Sequence, residues 1–429
     1  MDLISSLPDA ILQDILFLVP TKLAISTSVL SKRWRHVWSD TPGLSLDDKK
    51  LHADGINETL THYTAPKMIK FHLKFLKRNT FPDMDRWFEF AMSRNVENLS
   101  VCVGNTRGYK LPDSFYISSS IKELILKLPY SYMTPKSSVS WTSLKKLSLR
   151  DCFLYQESFD KILSGCPILE SLTLILLYPL KFLDFSKLLR LRTLDLSVYG
   201  RKMEIVAPHI HCLTLRNFQS PLITLVDVSS LTEAIVETGV QDSPIMYVLT
   251  HYIVPEMLKK LENAEKLTFG GNFLLILSLA EVSGVTFPMF KIKALTLETE
   301  IYQYVIPGIQ RLLQNSPVLK MLTVHARDEY HHIISGVSLD DYLRWERMKP
   351  DQCWRSNDGV FWNRYPFDLE SDHVASFVKL VLKNTKTLDK MVVLLNERCH
   401  SFNFEELVQT LSHNNDVSIV LSTTPYTVY

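Results

Sequence analysis

Apolar residues along this chain of 429 residues keep two periods, one in its first forty or so positions and another over most of the remainder. Near the N-terminus, Ile11, Leu12, Ile15, Leu16 and Val19 recur at the offsets of one helix face. Ser6 and Asp9 stand at capping-box spacing, and Pro8 falls in the first turn, where its missing N–H costs nothing. Pro20 ends this helix, and a second short one is predicted from about Lys22 to Leu30. Ser31 caps a third, on which Trp34, Val37 and Trp38 share a face while Lys32, Arg33, Arg35 and His36 point elsewhere. Three helices of this size bury too little surface to stand alone. Their excess of Leu, Ile and Trp must pack on the rest of the chain or on a partner, and periodicity does not choose between the two.

From Thr41 to about Pro66 the chain turns polar and irregular, which predicts a connector with one helix around Ile56 to Tyr63. Beyond it a short strand pattern returns: Ile121-x-x-Leu124-x-Leu126, Leu144-x-x-Leu147-x-Leu149, Leu169-x-x-Leu172-x-Leu174, Leu191-x-x-Leu194-x-Leu196 and Ile210-x-x-Leu213-x-Leu215. The second leucines lie 23, 25, 22 and 19 residues apart, inside or just below the period of about 20–29 residues of a leucine-rich repeat. Leu99-x-Val101, Leu267-x-Phe269, Leu295-x-Leu297 and Leu322-x-Val324 are further strand-like members. A longer self-similarity supports the count. Leu163 to Leu174 returns as Leu313 to Val324, as Leu382 to Val393 and, more faintly, as Phe90 to Val101. Each copy predicts a helix end, a turn and a strand, with alternate strand residues facing a shared core and the helix covering the other side. Such a unit cannot bury its apolar face alone, so several must stack.

The array is irregular. Ala234-Ile235-Val236 is a degenerate strand, Pro244 to Pro255 an insertion, and Arg327 to Phe367 an excursion holding Trp345, Trp354 and Trp362. Those three rings read as packing before they read as contacts. After it come a helix (His373 to Asn384), a strand (Lys390 to Leu395), a helix (Phe404 to Ser412) and a final strand (Val417 to Leu421). The segmentation is 1–45, a connector 46–66, a repeat array 67–330, an insertion 331–366 and a C-terminal segment 367–429.

Charge and chemistry narrow the function classes. Lys plus Arg (47) nearly balances Asp plus Glu (46), so no basic footprint points to nucleic acid or an anionic membrane. No uninterrupted apolar run is longer than Phe273 to Leu277, far short of the roughly 20 residues of a membrane span. Asp2 and the break at Gln13-Asp14 do not fit a signal peptide. Six cysteines with no Cys-x-x-Cys pair fit a reducing compartment, the cytosol or nucleus, and give no zinc or RING-type spacing. Cys152 is expected to be a buried thiol. Gly270-Gly271 does not open a phosphate loop, His331-His332 has no metal-ligand partners, and Cys399-His400 is not a dyad. Lys145-Lys146 and Lys49-Lys50 read as solvated charges. No cofactor, metal or catalytic residue is expected.

Leu7-Pro8-Asp9-x-Ile11-Leu12-x-x-Ile15-Leu16-x-x-x-Pro20-Thr21-Lys22, followed by Leu30-Ser31-Lys32-Arg33-Trp34-Arg35-x-Val37-Trp38, resembles a plant-type F-box from Ile4 to Trp38. Ala10 departs from the usual Glu, at a position off the apolar stripe. With the Cys-Pro-x-Leu-Glu-x-Leu element of the repeats, the chain resembles plant F-box/leucine-rich-repeat proteins, and its end loosely resembles their FBD region. The resemblance implies an α/β repeat protein: a three-helix F-box followed by an irregular leucine-rich-repeat solenoid, horseshoe-like. It also implies docking on a Skp-type adaptor, and through it a cullin–RING ubiquitin ligase, with an unknown protein substrate on the repeats. The adaptor-binding residues it implies are Leu7, Pro8, Ile11, Leu12, Ile15, Leu16, Leu30 and Trp34, with Trp38 free to tie the F-box to the repeats. Two other readings stand beside it: a receptor needing a small-molecule ligand, and a ligase-independent repeat scaffold.

Overall fold

Strands that alternate apolar and polar residues bury one side, and here that alternation builds stacks of parallel strands. The computed structural model describes residues 4–47, 52–75, 83–175, 180–197, 203–216, 223–238, 246–325, 336–354, 362, 371–396 and 417–424. They form two compact units, Met1–Leu180 with Lys187–Leu194, and Lys181–Ser186 with Asp195–Tyr429.

The first unit opens with α1 (Asp9–Phe17), α2 (Thr21–Ser26), a 3-10 turn at Thr27–Val29, α3 (Trp34–Val37) and a 3-10 turn at Trp38–Asp40. Then come β1 (Gly43–Asp47), α4 (Ala53–His62), β2 (Lys70–Phe75), α5 (Met84–Ser93), β3 (Asn98–Val103), β4 (Glu123–Lys127), β5 (Lys146–Arg150), α6 (Gln156–Ser164) and β6 (Ser171–Ile175). The six strands pair in parallel in chain order. Their register stacks Leu46, Leu73, Val101, Leu126, Leu149 and Leu174 in one buried row, and Leu44, Phe71, Leu99, Leu124, Leu147 and Leu172 in another. Each buried leucine contributes about 1.5–3 kcal/mol only once its neighbours on both sides are present.

The helix expected around Ile56 to Tyr63 is present as α4, but the strand stack begins earlier than the expected residue 67: β1 pairs with β2 from Gly43 to Asp47. The polar flanks of Leu44-Ser45-Leu46 hide a strand too short to show a period. Helices cover some rungs and not others. Between β3 and β5 the connections carry a 3-10 turn, Asp113–Tyr116, and extended chain. Aromatic bulk fills the space instead. Phe115 lies 4.9 Å from Phe88 and 5.8 Å from Trp141, ring to ring, and the Trp141 indole donates to the Phe115 carbonyl at 3.0 Å.

The second unit takes β7 (Phe182–Asp184), most of β8 (Thr193–Ser197), β9 (Met203–Val206), β10 (Cys212–Leu215), β11 (Ile223–Asp227), β12 (Glu233–Val236), α7 (Met246–Val248), a π-helical turn at Leu249–Ile253 and α8 (Val254–Leu261). It continues through β13 (Lys266–Gly270), α9 (Gly271–Val282), β14 (Ala294–Glu298), α10 (Ile306–Gln314), β15 (Met321–His325), α11 (Gly336–Trp345), α12 (Pro350–Cys353), α13 (Ser371–Asn384), β16 (Lys390–Asn396) and β17 (Ser418–Thr424). Strands β10, β12, β13, β14, β15, β16 and β17 pair in parallel in that order, with Val236, Phe269, Leu297, Val324 and Val393 in one buried row. The predicted copies at Leu313 to Val324 and Leu382 to Val393 are helix–turn–strand units as expected.

Early in this unit a second small sheet replaces the helices. β7, β9 and β11 pair in parallel and stack Leu183, Ile205 and Leu225 inward. Of the insertion expected at Pro244 to Pro255, the described part from Met246 onward is helical, with Pro255 in the first turn of α8, where proline is tolerated. The apolar run at Phe273 forms α9, enclosed from Asn272 through Ala280, as a helix apolar on all sides must be. Gly308 of α10 lets that helix approach: its N–H donates to Ser278 Oγ at 2.9 Å. The excursion folds in part as α11 and α12. The helix expected at Phe404 to Ser412 lies outside the described residues.

Candidate functional site

The N-terminal helices close around a small core of Leu12, Leu16, Ala24, Trp34, Val37 and Trp38, with Leu7, Val19 and Ile25 packed at its edge. α1 starts straight after Pro8, whose carbonyl accepts from Ile11 and Leu12 at 3.1 and 3.2 Å. The expected capping box gives way to a longer-range contact. Asp9 turns its carboxylate to Arg33, 2.7 Å from Nε, and the same guanidinium donates to the Leu7 carbonyl. Ser31 does accept from the first turn of α3, with Trp34 N at 3.4 Å from its Oγ.

The eight residues singled out in the sequence divide between inside and outside. Leu12, Leu16 and Trp34 are enclosed, at most 5% exposed, so they do not lie on an accessible face. One helix stripe is wide enough to hold both a core row and a surface row, and the pattern alone merges them. Leu7 is half-buried and Pro8 exposed. Ile11, Ile15 and Leu30 are 46%, 43% and 65% exposed. Leu18, Leu23 and Val29, which the sequence reading missed, are 83%, 55% and 88% exposed. Their signal was present as apolar residues left over once the core positions are filled. These six large aliphatic side chains of this small module are thus left in water.

The helices are fastened to the first strands through the backbone. Ser45 N donates to Thr21 Oγ1 at 2.7 Å, and Thr64 N and Ala65 N donate to the Ser39 carbonyl at 2.9 and 3.2 Å. The Tyr63 hydroxyl donates to the Thr41 carbonyl at 2.6 Å, and burial holds its pKa above the usual phenol range. A side chain at Gly43 would stand 2.5 Å from the Lys70 carbonyl and 2.7 Å from the Phe17 ring. Trp38 belongs to the helical core cluster; the tie to the repeats is made by Thr21, Ser39, Thr41 and Tyr63.

Other residues weighed for chemistry fall elsewhere. Cys152 is buried, its sulfur 3.8 Å from Met133 Sδ, and burial pushes its thiol up to about 12, so it stays protonated. Gly270 ends β13 and Gly271 begins α9. Lys145 and Lys146 are exposed but paired, with Glu170 at 3.1 Å and Glu123 at 2.6 Å. Trp354 and Trp362 are buried, whereas Trp345 is 69% exposed. His331-His332, Cys399-His400 and Lys49-Lys50 lie outside the described residues. Among the described residues, no three His, Cys, Asp or Glu side chains are grouped to hold a metal ion.

Comparison with known proteins meets this geometry at both ends. The F-box domain family matches residues 4–45, and the family described as At1g61320/AtMIF1, LRR domain, matches residues 61–354. An F-box/LRR-repeat protein of Arabidopsis thaliana, At3g18150, is 53% identical over 432 residues, covering 99% of this chain and 92% of its own length. F-box/LRR-repeat proteins At5g02910 and At3g03360 of the same plant are 47% and 48% identical, each covering 98% of this chain and 95% and 91% of their own lengths. With a helical module at residues 4–45 followed by parallel-stranded repeats, the chain belongs to the plant F-box/LRR-repeat proteins.

Proposed function

We propose that this chain is the substrate-recognition subunit of an SCF-type (Skp–cullin–F-box) ubiquitin ligase. Its N-terminal helices dock a Skp-type adaptor and its repeats hold a protein substrate. The observation that carries this reading is the exposed aliphatic surface of Ile11, Ile15, Leu18, Leu23, Val29 and Leu30 over a closed core. Leaving these side chains in water forgoes roughly 25 cal/mol for each Å² a partner would cover. A helical surface of this kind suits a groove-bearing helical partner, with a few aliphatic anchors carrying most of the affinity. Pro8 and the half-buried Leu7 lie at the start of the same helix, while Leu12, Leu16 and Trp34 act by supporting the surface from beneath.

The hydrogen bond from Ser45 N to Thr21 Oγ1, which holds β1 against the helices, supports a reading in which adaptor and substrate are carried by one body. Catalysis on this reading is by proximity: the chain raises the substrate's effective concentration at a conjugating enzyme and supplies no acid, base or nucleophile. The protein would then work in the cytosol or nucleus. The test is co-purification of the full chain with a recombinant Skp-type adaptor. Leu7→Ala/Pro8→Ala is expected to weaken the complex by more than about 2 kcal/mol, and Ile15→Asp/Leu30→Asp to abolish it. Capture of both variants at wild-type affinity would overturn the assignment.

A further inference from the structure

The solvent side of strands β1 to β6 carries charge in two different arrangements. At the strand starts, lysines and acids pair across neighbouring strands. Lys67 and Lys122 both meet Glu97, at 3.1 and 2.8 Å, and Lys146 meets Glu123 at 2.6 Å. At the strand ends, the register sets Lys74, Cys102, Lys127 and Arg150 side by side. With neighbouring strands about 4.8 Å apart, three cations line about 14 Å of surface, with Cys102 as the neutral gap. Asp47 reaches Lys74 at 3.2 Å and Asp151 reaches Lys127 at 3.5 Å, while the Arg150 guanidinium donates to the Ser148 hydroxyl at 3.3 Å. Among the described residues, one positive charge, that of Arg150, is therefore left over at this end. The fields of Lys74, Lys127 and Arg150 all fall on the Cys102 thiol, although burial outweighs them and holds it protonated.

The loops leaving β4 and β5 add an aromatic stack to the same rim. Tyr132 lies 5.0 Å from Phe153 with the ring planes 21° apart, and 6.5 Å from Tyr155. Tyr130 stands 6.4 Å from Phe153, with the Arg107 guanidinium 5.6 Å from its ring centre. Tyr130 and Tyr155 are half exposed. Tyr130 and Asp151 hold φ of 63° and 60°, a region that bulky side chains rarely enter. Tyr130 N donates to the Asp151 carbonyl at 2.9 Å, and Gly108 N to the Tyr130 carbonyl at 3.2 Å, fixing the turn. Strained backbone that presents an exposed ring is characteristic of binding surfaces.

We infer that this rim docks an acidic segment of a partner polypeptide, with carboxylates on Lys74, Lys127 and Arg150 and an apolar side chain on the Tyr130–Phe153 stack. A basic segment would have to compete with Lys74 and Lys127 for Asp47 and Asp151 and would meet Arg150 as a like charge, and a neutral one would leave Arg150 without an anion. This deepens the reading above, on which the segment belongs to the substrate, and rests on it for that identity alone.

The test uses the full chain, with and without a Skp-type adaptor, and a fluorescein-labelled peptide repeating Glu-Glu-Phe beside its Gln-Gln-Phe counterpart. Anisotropy is expected to show binding of the Glu peptide alone, weakening as salt rises. Lys127→Glu/Arg150→Glu should lower affinity at least about tenfold, and Lys127→Gln/Arg150→Gln, which adds no repulsion, by a smaller but clear factor. Lys70→Glu/Lys146→Glu, the same net change at the other end of the strands, should cost less than about threefold. Equal binding of the two peptides, or equal losses in the two Glu variants, would overturn the inference. So would inorganic pyrophosphate displacing the peptide and binding more tightly to the same residues, since the rim would then take a phosphate. Peptide binding without adaptor binding counts against the ligase reading only, and adaptor binding without peptide binding counts against this inference only.

Discussion

Asp9 and Arg33, separated by 24 residues, meet at 2.7 Å and join the first turn of α1 to the approach of α3. Both face solvent, so the ion pair alone is worth about 0–1 kcal/mol. Arg33 also donates to the Leu7 carbonyl, which adds a charge-assisted bond to the turn entering α1. Arg33→Ala is therefore expected to lower stability by about 1–2 kcal/mol and Asp9→Ala by less than about 1. Urea unfolding of the two variants checks the difference; equal losses would mean that the Leu7 carbonyl bond contributes nothing.

Neighbours on α1 should behave in opposite ways. Leu16→Ala opens the core around Trp34 and is expected to cost about 2–5 kcal/mol. Ile15→Asp removes an exposed side chain, should change stability by less than about 1 kcal/mol, and should abolish adaptor capture. Melting curves beside a pull-down separate the two effects, and a destabilised Ile15→Asp with intact capture would assign that face to the protein's own packing.

Gly308 tests how closely α9 and α10 pack. A Cβ there would stand 2.7 Å from Ser278 N and 3.0 Å from the Leu274 carbonyl, both on the backbone of α9. Alanine favours a helix over glycine by about 1 kcal/mol. Forcing two packed helices apart costs about 1–3 kcal/mol. The net effect of Gly308→Ala is expected to be a lower melting temperature, and a rise would show that the interface yields freely.

Glu97 makes stability depend on acid. Hydrogen bonds from Lys122 and then Lys67 hold its carboxyl below the ordinary value of 4.5. The folded state therefore binds this proton less readily than the unfolded state. The resulting stability is present above about pH 4.5 and is lost as pH falls through the folded value. Glu97→Gln is expected to lower stability by less than about 1 kcal/mol at pH near 7. Urea midpoints of the two proteins should converge in strong acid; a gap that stays constant across pH would rule out the linkage.

Much of the repeat stack was legible because a period of two is hard to mistake. Leu124, Leu147 and Leu172 announce their strands, and the register places them in one row. What was hidden is what lacks a period. β1 shows only Leu44 and Leu46 between polar runs, and the short strands β7, β9 and β11 fall outside the repeated Leu-x-x-Leu-x-Leu motif. The exposed aliphatic face of the N-terminal helices was half legible: Ile11 and Ile15 lie outside while Leu12 and Leu16 lie inside, one position apart on the same stripe.

The order of apolar residues along this chain was enough by itself to determine its class, an N-terminal helical module followed by stacked strand repeats. Local spacing controls which side a residue takes within its own element, and repetition multiplies that signal. Tertiary structure alone decided which apolar residues stay in water, how Thr21, Ser39 and Tyr63 fasten the helices to the first strands, and that Lys74, Lys127 and Arg150 form one row. Those residues are 53 and 23 positions apart in sequence, and only the pairing register, set by the buried rows beneath them, brings their charges together.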